Sequence, residues 1–211
     1  MTKIITTPPF IFLFLVLISS ACDDNDLFVN LDEFEQITEQ YPYTDVSTKE
    51  AVDYWELVSS LTPEALFSKG TKCANASNEA ECIYNFNATV SENPGFSISC
   101  PPSECFKYIR YQSKDEISLV TSVDDLIKFL GEIDTKSDAI LLTSAYNYYF
   151  YTNKKEAGAI REVKDGYEIL TTQLVKFCAP IQTDRFLLKV SRNGEIKILK
   201  EEKYSVSNGC I

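Results

Sequence analysis

Cysteine is the most chemically versatile side chain in this sequence, which carries seven. A thiol can be acylated, can pair into a disulfide, or can ligate a metal as thiolate. Position sorts the seven. Cys22 stands apart, directly after the small residues Ser19-Ser20-Ala21. Before them lie a basic start at Lys3 and an unbroken apolar run from Phe10 to Ile18. That run is too short to span a bilayer and matches the core of an export signal. Residues 1–21 therefore read as a signal peptide, and Cys22 as the lipidation site and first mature residue. Setting Cys22 aside leaves an even set suited to disulfides. The alternative is ordinary cleavage after Ala21, with secretion as a soluble protein.

An exported chain meets an oxidising compartment, which favours disulfides over free thiols. Cys178 and Cys210 are expected to pair, because strand order returns the tail to the end of the strand that Cys178 closes. Cys73, Cys82, Cys100 and Cys105 allow three connectivities. Local pairs, Cys73–Cys82 with Cys100–Cys105, are slightly preferred over Cys82–Cys100 with Cys73–Cys105. A four-cysteine zinc site would need shorter ligand spacing than these residues offer, so no metal is expected.

Other chemistry is sparse. Histidine is absent, which removes Ser–His and Cys–His nucleophiles and imidazole metal sites. No P-loop, GxGxxG or GxSxG occurs, so no cofactor is implied. Acidic neighbours such as Asp115-Glu116, Asp124-Asp125 and Glu201-Glu202 could in principle do glycosidic acid–base work. In an acidic chain they read more simply as solvated faces. Asp23-Asp24-Asn25-Asp26 lacks the glycine and downstream glutamate of a calcium loop. Asn75-Ala76-Ser77 and Asn87-Ala88-Thr89 match glycosylation sequons, read as chance.

Recognition is better provided for. Tyr146-Asn147-Tyr148-Tyr149-Phe150-Tyr151 combines broad contact area with hydroxyls. Tyr146, Tyr148, Tyr149 and Tyr151 are the leading candidates for a binding surface, with Tyr108 and Tyr111 next. Alternation along the segment could instead put half of these rings in the core. The net charge of −11 grows by one negative unit when Lys3 leaves with the signal. A surface this acidic disfavours nucleic acid, so the expected partners are a membrane, held through the lipid, and a protein or glycan ligand.

The elements that must position these residues are predicted as follows. Residues 22–46 form an acidic tether, with a weak amphipathic piece from Leu31 to Ile37, and 47–211 form one domain. Ser47 with Glu50 opens a helix whose Ala51, Trp55 and Val58 share an apolar face. Thr62-Pro63-Glu64 opens a second helix, ended by Gly70. Cys82 to Val90 and Phe96 to Cys100 read as a hairpin across the Glu92–Gly95 turn. Phe106–Gln112 and Glu116–Val120 form another. Ser122 caps a helix carrying Leu126, Phe129 and Leu130; Asp134 or Thr135 caps the next, with Ala139, Leu142 and Ala145 or Tyr146 inward. Ala159–Val163, Tyr167–Phe177, Arg185–Val190 and Glu195–Tyr204 form an antiparallel meander through turns at Lys164-Asp165-Gly166 and Asn193-Gly194. The fold class is α+β, helices packed on a disulfide-tied meander, analogous in element order to cystatin-like or PepSY-like modules.

The cysteine followed by Asp23-Asp24-Asn25-Asp26 resembles the export signature of Bacteroidota surface lipoproteins. The resemblance implies lipid anchoring in the outer membrane, facing outward. Gly166-Tyr167, Cys178, Pro180, Arg185-Phe186, Asn193-Gly194-Glu195 and Cys210 resemble the ending of an uncharacterised group of such proteins, which implies no activity. The expected function is a non-catalytic binding or envelope-structure module. An envelope enzyme using carboxylates and an acidic inhibitor or immunity-type protein are the alternatives.

Overall fold

The computed structural model describes residues 29–92, 94–99 and 105–210. The segment read as a signal peptide, Cys22 and the acidic run after it, and Cys100, lie outside them. Ten strands and three α-helices follow one another among the described residues: β1 Glu35–Gln36, β2 Tyr54–Ser59, β3 Thr62–Gly70, α1 Glu79–Ala88, β4 Phe96–Ser99, β5 Cys105–Ser113, β6 Glu116–Val120, α2 Val123–Leu130, α3 Lys136–Ala145, β7 Ala159–Val163, β8 Gly166–Phe177, β9 Ile181–Ser191 and β10 Ile196–Ser207. They build two antiparallel sheets. One runs β1-β7-β8-β9-β10; the other runs β3-β2-β5-β4, with β6 also on β5.

The core joins the two sheets. Trp55, Leu57 and Ile109 come from one; Ile160, Tyr167, Ile169 and Val190 come from the other. Between them sits α3, which touches β4 on one side and β7 and β8 on the other. Its residues from Ser137 to Thr143 are all buried, as expected of a helix covered on most sides. Thr135 and Asp138 close a capping box at its start. Ser122 caps α2 through the Asp125 N–H, and Gly131 ends it in a positive-φ conformation. The C-terminal meander has the order expected, with a longer loop at residues 192–195 than a two-residue turn.

The N-terminal half corrects several expectations. Residues 29–46 are not a tether: Phe34, Ile37, Tyr43 and Val46 are buried, and the Leu31–Ile37 piece supplies only β1. The helix expected from Ser47 is absent. Tyr54–Ser59 is a strand covered on both faces, and such a strand reads as a continuous apolar run that spacing alone can mistake for a helix. Trp55 and Leu57 face the main core, while Tyr54 faces α1. Ser47 caps nothing of its own; its N–H and hydroxyl both donate to Asp138, each at 2.8 Å. The second expected helix is β3, an edge strand, where a proline near the start costs no ladder bond. Gly70, at φ +94°, ends this strand because any Cβ there would strike the Asp53 carbonyl.

Cys82–Val90 is mostly α1 rather than a strand. Asn78 accepts from the Glu81 N–H, Glu79 and Glu81 fill the first turn, and Cys82 and Phe86, one turn apart, are buried. The cap and this inward pair outweigh the β-forming residues between them. β4 consequently pairs with β5 instead of with its expected partner.

Candidate functional site

A buried charge cluster lies between α1 and the strands β2 and β5. Glu56 and Arg110 stand opposite each other across the two strands and are 3% and 6% exposed. The Arg110 Nε donates to Glu56 at 2.9 Å, and a second guanidinium nitrogen pairs with the same oxygen. Another donates to the carbonyls of Phe86, Asn87 and Thr89, closing the end of α1. Tyr54 donates to Glu56 at 2.6 Å, and Lys72 lies 3.3 Å from it. Burial would raise the Glu56 carboxyl, but Tyr54, Arg110 and Lys72 together hold it below the ordinary range. The charges of Glu56 and Arg110 are paired with each other, so this cluster fastens α1 to the sheet.

The other acids read from sequence also have structural work. Asp115 accepts from the Ser77 N–H and hydroxyl, Asp125 serves the α2 cap and Lys128, and Glu202 pairs with Arg185. Both sequons are tied in locally: Asn75 donates to Asp53, Asn87 accepts from Lys72, and Thr89 donates to the Asn85 carbonyl. Cys73 is bonded to Cys82 across a Cα–Cα distance of 5.9 Å, and Cys178 to Cys210. Cys105 is disulfide-bonded as well, its partner outside the described residues. Among the described residues no group of three or more acids and cysteines is placed to hold a metal.

The tyrosine-rich segment leads to a different place. It leaves α3 with Asn147 at φ +65°, a conformation asparagine tolerates. It is then clamped to β8 by reciprocal backbone bonds between Tyr149 and Thr172, at 2.8 and 2.7 Å. Beneath it opens a cleft of about 190 Å³. Tyr148, Tyr149, Phe150 and Thr152 form one wall. Gln40, Tyr41 and Tyr43 form a second, and Ser97 of β4, Lys107 of β5 and Ser144 of α3 form the floor. Tyr41 and Tyr43 lie 6.2 Å apart between centroids, and Tyr148 packs edge-on against Phe186.

The electrostatics of this cleft are unusual for so acidic a chain. Among the described residues no aspartate or glutamate lines it. Lys107 has the parity of Ile109, which faces the main core, and burial pushes its ammonium below the ordinary lysine value. Ser97 is 3% exposed, and its hydroxyl has no hydrogen-bond partner. Burial pushes the Tyr43 phenol up to about 12, with a Ser144 hydrogen bond pulling the other way. Burial, then the nearby Glu201 charge, raises Tyr148.

The Tyr43 shift predicts an alkaline signature. A group raised in the fold stabilises fully below its unfolded value, near 10, and that contribution is lost as pH climbs toward about 12. Tyr43→Phe should flatten the fall of stability across this window. Thermal melts from pH 9 to 12 check it; an unchanged slope would contradict the burial argument.

The candidate recognition residues thus separate. Tyr148 and Tyr149 line the cleft, with Tyr146 and Tyr151 on exposed ground beside it, each about 41% open. Tyr151 stacks toward Tyr204, and Lys154 lies over both rings. Tyr108 is buried on the α1 side, facing Phe106, and Tyr111 packs on Phe129 at 5.1 Å. Neither joins the cleft. Sequence reasoning missed Lys107, Ser97, Gln40, Tyr41 and Tyr43. One signal was present: Lys107 falls in step with Ile109 and Tyr111, the inward set of a strand.

The fold and cleft define an α+β, disulfide-tied protein with an aromatic, acid-free pocket between its sheets. The chain matches no protein-family model, no curated protein and no solved structure.

Proposed function

We propose that the protein is a non-catalytic lipoprotein, acylated on Cys22 and anchored facing outward from a bacterial outer membrane, whose body binds a protein or glycan ligand. The aromatic cleft carries the binding part of this reading. Tyrosines offer flat apolar faces with polar tips, which suits small polar ligands. Carboxylate catalysis in this cleft would need two acids converging on it, and among the described residues it is lined by none. The anchoring part rests on the export signal, the cysteine after it and the even set of remaining cysteines. The analogy with cystatin-like or PepSY-like modules concerns only the order α3 followed by β7 to β10, and lends no activity. Among the described residues no helix is long and apolar enough to cross a membrane.

Cells fed labelled palmitate should label the wild type and leave Cys22→Ser unlabelled, and protease added to intact cells should digest the body. Label persisting in the variant would refute the anchor. The purified full-length protein, offered a panel of glycans and peptides, should retain ligand without turnover; release of product would overturn the non-catalytic reading.

A further inference from the structure

We infer that the cleft beneath the tyrosine-rich segment takes a single carboxylate carried on a small ring, with Lys107 and Ser97 holding the carboxylate and the tyrosines covering the ring. This rests on the binding role proposed above and names the ligand class. Three observations lead to it. First, Lys107 is partly buried in the cleft and has no ion-pair partner among the described residues, whereas the buried Arg110 has one. A partly buried cation without a counterion is an unpaid desolvation cost, and a bound anion would offset it. Second, Ser97 brings an independent donor. Its hydroxyl is buried and unpartnered, on a strand residue at φ +55°. Buried hydroxyls normally find a partner, so one left open in the same cleft as a cation is suited to a ligand oxygen. Third, the remaining surface is ring-shaped and neutral: Tyr41, Tyr148, Tyr149 and Phe150 around about 190 Å³.

Size and charge narrow the class further. The volume is below the usual range for drug-sized ligands, so one ring fits and a polymer groove does not. One lysine matches a monoanion better than a phosphate, which carries more charge and calls for several donors. A divalent cation would find no carboxylate there among the described residues. The carboxylate could come from a uronic acid at the end of a glycan or from a free aromatic acid. Both present the same anion on a six-membered ring.

Titration calorimetry on the purified full-length protein distinguishes these sources, using glucuronate, benzoate, their methyl esters and glucose. At least one acid should bind, with its ester about 10-fold weaker, the order of one charge-assisted hydrogen bond. Lys107→Met should cost a similar factor, and Ser97→Ala about 3-fold. Glucuronate binding without benzoate binding would assign a glycan terminus; the reverse would assign an aromatic acid. Lys107→Met should also melt no lower than the wild type without ligand, because it removes an unpaired charge. Equal affinity for acid and ester, or an unchanged affinity in Lys107→Met, would overturn the inference while leaving a binding module in place. No binding of either acid would overturn it too, and Lys107→Met melting several degrees lower would then make Lys107 structural. Failure of the binding role itself would appear separately, as no retention of any glycan, peptide or small ring acid.

Discussion

Replacing Arg110 with methionine will destabilise the protein by about 3–5 kcal/mol, the range for breaking one side of a buried ion pair. The variant keeps the bulk of the arginine stem and removes its charge. Glu56, 3% exposed, then keeps only Tyr54 and a partly exposed Lys72. The carbonyls of Phe86, Asn87 and Thr89 lose their shared donor. The cation over the Phe86 ring, 4.6 Å from its centroid, is lost as well. Adding Glu56→Gln to Arg110→Met should recover part of the loss, because the stranded carboxylate is then gone. Urea unfolding followed by Trp55 fluorescence measures both, since Trp55 is the one tryptophan and is buried. A loss below about 1 kcal/mol, the scale of an exposed pair, would mean the cluster is solvated in solution.

Asp138→Ala should cost about 3–4 kcal/mol, since bonds to a charged acceptor are worth roughly 1.5–3 kcal/mol each and are not additive. Asp138 is fully buried. It accepts from the N–H groups of Ser47, Asp134 and Thr135, at 2.8, 3.2 and 3.0 Å, and from the Ser47 hydroxyl. It therefore caps its own helix and also pins the chain leading into β2. Alanine leaves three N–H groups in partly buried surroundings without this acceptor. Amide exchange at Ser47 should accelerate together with the fall in melting temperature. Asp138→Asn should lie between wild type and alanine, because one acceptor oxygen remains. Exchange at Ser47 left as slow as in the wild type would show that another group holds this segment.

These two residues show why the N-terminal half was hard to read. Ser47 and Glu50 have capping-box spacing, but the acceptor that takes the Ser47 donors lies 91 residues away. Tyr54–Ser59 and β3 carry helix-like spacing and helix-like punctuation, yet they are strands because β5 covers one edge of β2 and α1 and the main core cover its faces. By contrast, β5–β6, α2, α3 and the β7–β10 meander announce themselves locally. Ser122, Thr135, Gly131 and Gly166 act within a few residues of where they stand, so no distant partner can reverse them. The candidate site divides the same way. Tyr148 and Tyr149 were visible as an aromatic run, while Tyr108, a second-rank candidate, proved buried away from the cleft.

From sequence alone came the α+β class, the helix caps, the long meander, the acidic surface and the exclusion of histidine chemistry. These depend on composition, or on interactions between residues a few positions apart. Tertiary structure alone decided that residues 37–46 close over the core, that Glu56 faces Arg110, and that Gln40, Ser97, Lys107 and Tyr149 meet around one cavity. Those meetings join segments far apart in the chain, and their free energy comes from burial and pairing that no local pattern encodes.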